Sequence, residues 1–222
     1  MPSTIVHMAF AGLIGAALLG TAFDRRSVLV LFAAVIFADL DSFVGLVSAV
    51  GHRAAFHTLF VPLGVAGVLL VDHYWLHRIR LVDRWGQRGV RIAWVTGVAY
   101  VGAAIGLDLF SAGGANPLWP LHDQFYVING KVELSSQRSI VQTFIDLSTE
   151  DAQQTDGPRP RARGSTQEVH VSTGIDPTPG AEPANVDRVF PVVRSGWQLL
   201  LLLVGTGVTA ARFYVSHETG GE

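Results

Sequence analysis

The chain has 222 residues, 49% of them hydrophobic and only 15% charged, and its mean hydropathy is +0.37. A soluble domain carries about 25% charged residues, and here the shortage is concentrated: residues 1–122 hold 8 of the 16 Lys and Arg and 6 of the 18 Asp and Glu. An apolar first half followed by a polar segment with 6 of the 10 prolines between 158 and 191 excludes a simple soluble globule or a coiled coil, zero cysteines exclude disulfide and thiolate sites, and a net charge of −2 gives no reason to expect nucleic acid.

A membrane span needs about 20 mostly apolar residues. Five stretches qualify in chain order: Ile5–Phe23, Val28–Val47, Ala54–Leu76, Ile92–Phe110 and Trp197–Val215. No Lys or Arg precedes the first, so it lacks the basic flank of a signal peptide and is expected to persist as a span. Arg25 and Arg26 follow the first span, and Arg78, Arg80, Arg84, Arg88 and Arg91 follow the third, whereas Arg53 alone follows the second. The positive-inside rule then puts the first and third connections in the cytoplasm. The N-terminus, the second connection and the long 111–196 segment are expected outside, and the C-terminus inside. The fold expected is mainly α: a polytopic helical membrane protein of about five transmembrane helices, with a small β-containing, partly disordered extracytoplasmic insertion before the last. Its divisions are a four-helix membrane domain (1–122), the insertion (123–196) and a C-terminal helix with a short tail (197–222).

Within the insertion, Phe125–Ile128, Asn129-Gly130 and Lys131–Leu134 read as a β-hairpin with a type I′ turn. Ile140, Val141, Phe144 and Ile145 fit a helical face, although their β-branched content leaves a strand open. From Ser148 to about Asp187 the composition turns to Gly, Pro, Ser, Thr and charge, and a disordered or loosely held chain is expected, with a short strand at Val169–Val171. Small-residue faces at Gly12, Gly15 and Gly20 in the first span, and at Gly97, Gly102 and Gly106 in the fourth, suit close helix packing.

Charged residues inside spans call for an explanation. Asp39 and Asp41 follow Val35–Ala38 in the second span, and each costs roughly 2.5–3.5 kcal/mol at a helix centre. Residues two apart point about 200° apart on a helix, so both face one site only if the helix ends or unwinds there. Otherwise the span is shorter and the acids lie at the interface. His52, Arg53 and His57 follow on the outer connection, Asp108 ends the fourth span, and His7 lies early in the first. Under the arginine-based topology all of these lie toward the outer face. Imidazole with carboxylate suits Zn, Mn or Fe, and carboxylate-rich sites admit Mg or Ca. A metal with an open position acidifies bound water and polarises an ester or phosphoryl oxygen, and one of the two aspartates is then free to act as general base. A rival pair, His73 and His77 with Asp72, stands beside Tyr74, Trp75 and Arg78, the composition of an interfacial anchor. No phosphate-binding glycine loop and no Gly-x-Ser-x-Gly elbow is present.

Taken together, His7, the Asp39-Leu40-Asp41 pair, the block His52-Arg53-Ala54-Ala55-Phe56-His57-Thr58, Asp108 and the turn Pro117-Leu118-Trp119-Pro120 resemble the family of membrane-bound metal-dependent hydrolases, also described as inner-membrane-associated, LexA-binding-type hydrolases. The resemblance covers roughly residues 1–125. It departs at Ala104, where the family carries a His four residues before the Asp. It implies either that His122 or Asp123 completes a metal site from the outer loop, or that the site is depleted. A divalent metal, Zn or Mn, is expected on His7, Asp41, His52, His57 and Asp108. Asp39 and Asp41 divide ligand and base roles, and Arg53 binds a substrate anion. The expected function is hydrolysis of a lipid-like or phosphorylated substrate at the outer membrane face, with membrane lipid and a protein partner of the outer segment as further contacts. A non-catalytic membrane scaffold or sensor is the alternative. A transporter fits less well, since the charges gather at one face instead of the midplane and no repeat pair is visible.

Overall fold

A computed structural model describes residues 2–48, 50–72, 74, 81–130, 132–137, 139–142, 161–180 and 182–218. The protein is mainly helical. Helix α1 spans Thr4–Leu18, α2 Arg25–Asp39, α3 Asp41–Val44, α4 Phe60–Val71 and α5 Leu81–Ala99; a π-helical stretch, Tyr100–Gly106, leads into the short α6 at Leu107–Leu109, and α7 spans Gly196–Glu218. Three helical stretches are long and apolar enough to cross a membrane, Arg25–Val44, Trp85–Leu109 and Gly196–Ser216, while Thr4–Leu18 and Phe60–Val71 are shorter apolar helices. The pair His73 and His77 lies outside the described residues.

Each start and stop has a local cause. Asp24 caps α2 by accepting the Ser27 N–H at 2.8 Å. Burial works against its charge, but the Ser27 backbone and hydroxyl bonds and Arg88, at 2.5 Å, hold its carboxyl below the usual range. Gly86, at φ 63, breaks α5 after its first turn, a conformation that glycine reaches without a Cβ penalty. On α2, Val28, Leu31, Val35 and Ala38 recur at helical spacing and face the core, whereas Leu29, Val30, Ile36 and Phe37 are exposed. A helix apolar on both faces is one made to be surrounded by protein on one side and lipid on the other.

The core joins α1, α2, α5 and the π-helical stretch through Ala11, Leu19, Leu31, Val35, Ala99 and Ala103. Helix α7 lies parallel to α1: a Cβ on Gly205 would run into the Ala9 carbonyl, and one on Gly12 would meet Thr209. This is the small-residue packing expected of the first span. In the fourth span the expectation fails at Gly97, which has open space around it. At the far end of this pair Phe23 stacks near Phe213, with centroids 4.7 Å apart, and Arg212 donates to the Gly20 carbonyl at 3.3 Å. Arg91 reaches the Leu19 carbonyl at 3.5 Å there as well. Arg88, Arg91 and Arg212 therefore gather at the end where α1 stops, and the clustered acidic and imidazole side chains, with Arg53, at the end where it starts.

The β structure differs from the expected hairpin. Strand β1 (Tyr126–Val127) pairs antiparallel with β4 (Arg161–Ala162), and β2 (Val132–Ser135) pairs with β3 (Ser139–Gln142), placing Leu134 opposite Ile140. The Asn129-Gly130 signal lost because Tyr126 is held on its other side by Ala115, with Ala115 N–H to Tyr126 O at 3.1 Å and Tyr126 N–H to Ala115 O at 2.8 Å. Ser139–Gln142 is strand, not helix; Phe144 and Ile145 lie outside the described residues. Of the stretch expected to be disordered or loosely held, residues 148–160 and 181 lie outside the described residues, and beyond β4 the described residues are irregular but held by polar contacts. Thr166 donates its N–H and hydroxyl to Asp123 at 3.0 and 2.7 Å, and Arg188 donates to the Gly174 and Ile175 carbonyls. No strand forms at Val169–Val171; Val171 instead packs with Ala54 and Phe125 in a small second core.

If the α1–α7 contact holds the bundle, Gly205→Leu should lower the thermal midpoint in detergent by the equivalent of about 1–3 kcal/mol of overpacking. Gly207→Leu, whose Cβ meets nothing within 4 Å, should be neutral, and a thermal melt of the two variants side by side decides it.

Candidate functional site

Seven residues singled out by the sequence, His7, Asp39, Asp41, His52, Arg53, His57 and Asp108, meet in one cluster at the start of α1. Helix α2 stops at Asp39, Leu40 carries the cap, and α3 restarts at Asp41, so the two acids escape the opposite directions that an unbroken helix would impose. Arg53 sits at φ 71, a left-handed conformation that costs a non-glycine residue free energy and persists only where its surroundings over-determine it. Its backbone N–H donates to Asp41 Oδ2 at 2.9 Å and its carbonyl accepts the Asn116 N–H at 2.9 Å. The π-helical stretch before Asp108 is a second irregularity, of a kind found often at functional sites.

Asp41 is the hub. Its Oδ1 accepts from His52 Nδ1 at 2.7 Å and its Oδ2 from His57 Nδ1 at 2.8 Å, with the Arg53 N–H as a third donor. In its neutral form a ring bonded in this way carries its proton on Nδ1 and keeps the Nε2 lone pair free. His7 is set likewise, its Nδ1–H donating to the Ala103 carbonyl. The guanidinium of Arg53 is wholly buried: Nη2 forms an ion pair with Asp108 Oδ1 at 2.6 Å, and Nη1 donates to Ser111 Oγ at 2.8 Å and the Gly114 carbonyl at 3.0 Å.

Six buried atoms of the cluster are left without a hydrogen bond, Asp39 Oδ1, His57 Nε2, both carboxylate oxygens of Asp108, and Nε and Nη2 of Arg53, and among them His57 Nε2 faces Asp39 Oδ1 and Asp108 Oδ2. The imidazole nitrogen is 3.4 Å from the first oxygen and 3.3 Å from the second, and His7 Nε2 is 3.6 Å from Asp108 Oδ1. Ligands about 2.0–2.2 Å from a tetrahedral zinc lie about 3.3–3.6 Å from each other. Ligand atoms of Asp39, His52 and His57 all fall within 4.8 Å of one another. A carboxylate holding the far nitrogen of each ligating imidazole is the usual support of such a site, and Asp41 stands in that position twice. The donor set, imidazole plus carboxylate, fits a divalent ion of the Zn or Mn kind.

A protein-family model described as YdjM inner membrane protein matches residues 1–154. The chain belongs to the YdjM inner membrane protein family. All seven clustered residues lie within the part matched by the YdjM family, while α7 and the segment that docks over the site follow it. No curated protein and no solved structure shows a significant match.

The outer-loop residues do not complete the cluster. His122 Nε2 bonds Tyr126 Oη at 2.8 Å on an exposed face, and both oxygens of Asp123 serve Asn116 and Thr166. Ala104 is fully buried in the apolar core. Among residues that sequence reasoning passed over, Thr4 donates its hydroxyl to Asp39 Oδ2, and Ser42 Oγ lies 3.2 Å from His52 Nδ1. Thr4 stands one helical turn before His7, a spacing that puts both on one face and was the available signal.

Removing the Arg53 guanidinium leaves Asp108 buried and unpaired, so Arg53→Met should cost about 3–5 kcal/mol of stability. The double variant Arg53→Met, Asp108→Asn should lose less than the sum of the two single changes, which a double-mutant cycle on thermal unfolding in detergent measures.

Proposed function

We propose that this YdjM-family member is a membrane-embedded metal-dependent hydrolase acting on an ester or phosphoester at the outer membrane face. The observation that carries the reading is the convergence of His57 Nε2, Asp39 Oδ1 and Asp108 Oδ2, buried and without hydrogen bonds. Charge counting supports it: Asp39, Asp41 and Asp108 face the single guanidinium of Arg53 and three imidazoles, so with the rings neutral the cluster carries two negative charges in excess, which a divalent cation would cancel.

In this reading Asp39, His57 and Asp108 hold the ion, with His7 and His52 as the adjoining imidazoles. Asp41 orients His52 and His57 instead of ligating, and Arg53 fixes Asp108 instead of meeting a substrate anion. When bound, the ion would lower the pKa of a water and polarise the scissile oxygen. Asp39, whose side chain is 14% exposed while those of Asp41, His57 and Asp108 are closed off, would be the carboxylate nearest to substrate and so the candidate general base.

The five apolar helices are read as five crossings. The N-terminus and the 111–196 segment lie outside and the C-terminus in the cytoplasm, because the arginine end of the bundle is opposite the site. The chain contains no cysteine, so Ser135→Cys and Arg88→Cys report the two sides cleanly. An impermeant maleimide applied to intact cells should label the first and not the second; the reverse pattern would invert the topology.

The decisive measurement is elemental analysis of protein purified in detergent. Wild type should carry near-stoichiometric Zn or Mn, Asp39→Ala and His57→Ala should lose it, and His122→Ala should keep it. A well-folded wild type that takes up neither metal would leave the cluster as a structural polar network and favour a non-catalytic scaffold.

A further inference from the structure

Of the seven clustered residues, only Asp39 and His52 also line a cavity of about 450 Å³ beside the cluster. That volume is in the range of a small-ligand site. Its wall toward the bundle is built by Ile5 of α1 and by Ile36, Leu40 and Phe43 around the end of α2, and its opposite wall by Ser172–Ile175 and Phe190–Arg194 of the outer segment. The two walls are joined at the rim by the Ser3 hydroxyl, which donates to the Val192 carbonyl at 2.5 Å. The outer wall is itself fixed: a Cβ on Gly174 would run into the Phe190 ring, and Arg188 holds the carbonyls of Gly174 and Ile175.

Three features decide what this cavity takes. First, its apolar lining is partly open to the surroundings, with Ile5 48%, Phe43 52% and Val192 53% exposed. Second, it lies where α1 begins, α2 ends and α7 is about to begin at Gly196, the level at which the apolar helices give way to the polar segment. An apolar slot at that level is within reach of the hydrocarbon chains of the bilayer. Third, the described charged lining residues are Asp39 at the cluster and Arg194 on the outer wall, so an anionic group is favoured at the Arg194 side and not beside Asp39.

We infer that the cavity is an entry slot for an anionic membrane lipid, with an acyl chain along Ile5, Ile36 and Phe43, the headgroup charge on Arg194, and the headgroup delivered to Asp39 and His52. This names the substrate class of the site proposed above and rests on that reading for the fate of the headgroup; occupancy of the slot does not depend on it.

Native mass spectrometry of the full chain in detergent tests the inference, with dioleoyl phosphatidic acid and dioleoyl phosphatidylcholine as probes and zinc content measured on the same samples. Wild type should retain one phosphatidic acid in preference to phosphatidylcholine. Ile36→Trp, which fills the slot from α2, should lower that occupancy about tenfold or more with zinc content unchanged. Val192→Trp fills it from the outer segment, outside any helix, and should do the same if Ile36→Trp folds poorly. Arg194→Gln should weaken phosphatidic acid about fivefold and remove the preference over phosphatidylcholine. Wild-type occupancy in both tryptophan variants would show that lipid binds elsewhere and overturn the slot. Lipid retention that responds to the tryptophans in a protein without zinc would keep the slot and sink the hydrolase reading, so the two failures are separable.

Discussion

Three carboxylates buried between apolar helices against one guanidinium is the constraint on which the rest of this protein turns. A charge removed from water must be paired or coordinated, or it will not stay ionised. The chain meets that demand through departures from regular structure: α2 is interrupted between Asp39 and Asp41, Arg53 occupies a left-handed backbone conformation, and the helix before Asp108 widens into a π-helical stretch. Each departure costs free energy locally. Together they turn seven polar side chains inward from four separate parts of the chain.

Within the cluster, roles divide by hydrogen-bond saturation. Asp41 uses both oxygens on two imidazoles and a backbone amide, which fixes ring orientation. Arg53 pairs with Asp108 and donates to Ser111 and Gly114. The acceptor atoms left without a hydrogen bond, on Asp39, His57 and Asp108, are the ones with chemistry to offer. The neighbouring cavity touches the cluster through Asp39 and His52.

The outer segment contributes to this arrangement although its composition does not advertise it. Few apolar residues anchor it, only Val171 against Ala54 and Phe125 in the main. Polar ties do the rest, with Asp123 bridging Asn116 and Thr166, and Arg188 clasping the 174–175 turn. Composition counts how much core a segment can bury; it does not register a handful of well-placed hydrogen bonds to a surface that already exists.

The sequence by itself determined the membrane character, the positions of the apolar helices and the membership of the cluster. These rest on local quantities: hydropathy over a window, the Asp39-Leu40-Asp41 spacing, and the five-residue separation of His52 and His57, each improbable beside lipid without a purpose. Tertiary structure alone decided the partnerships: that Asp41 serves both imidazoles, that Arg53 belongs to Asp108, that Tyr126 pairs with Ala115 and Ala162 instead of folding back across Asn129-Gly130. Local signals are written in neighbouring residues and survive reading along the chain. Partnerships across many tens of residues depend on how the helices pack, and on which donors and acceptors that packing leaves to be satisfied.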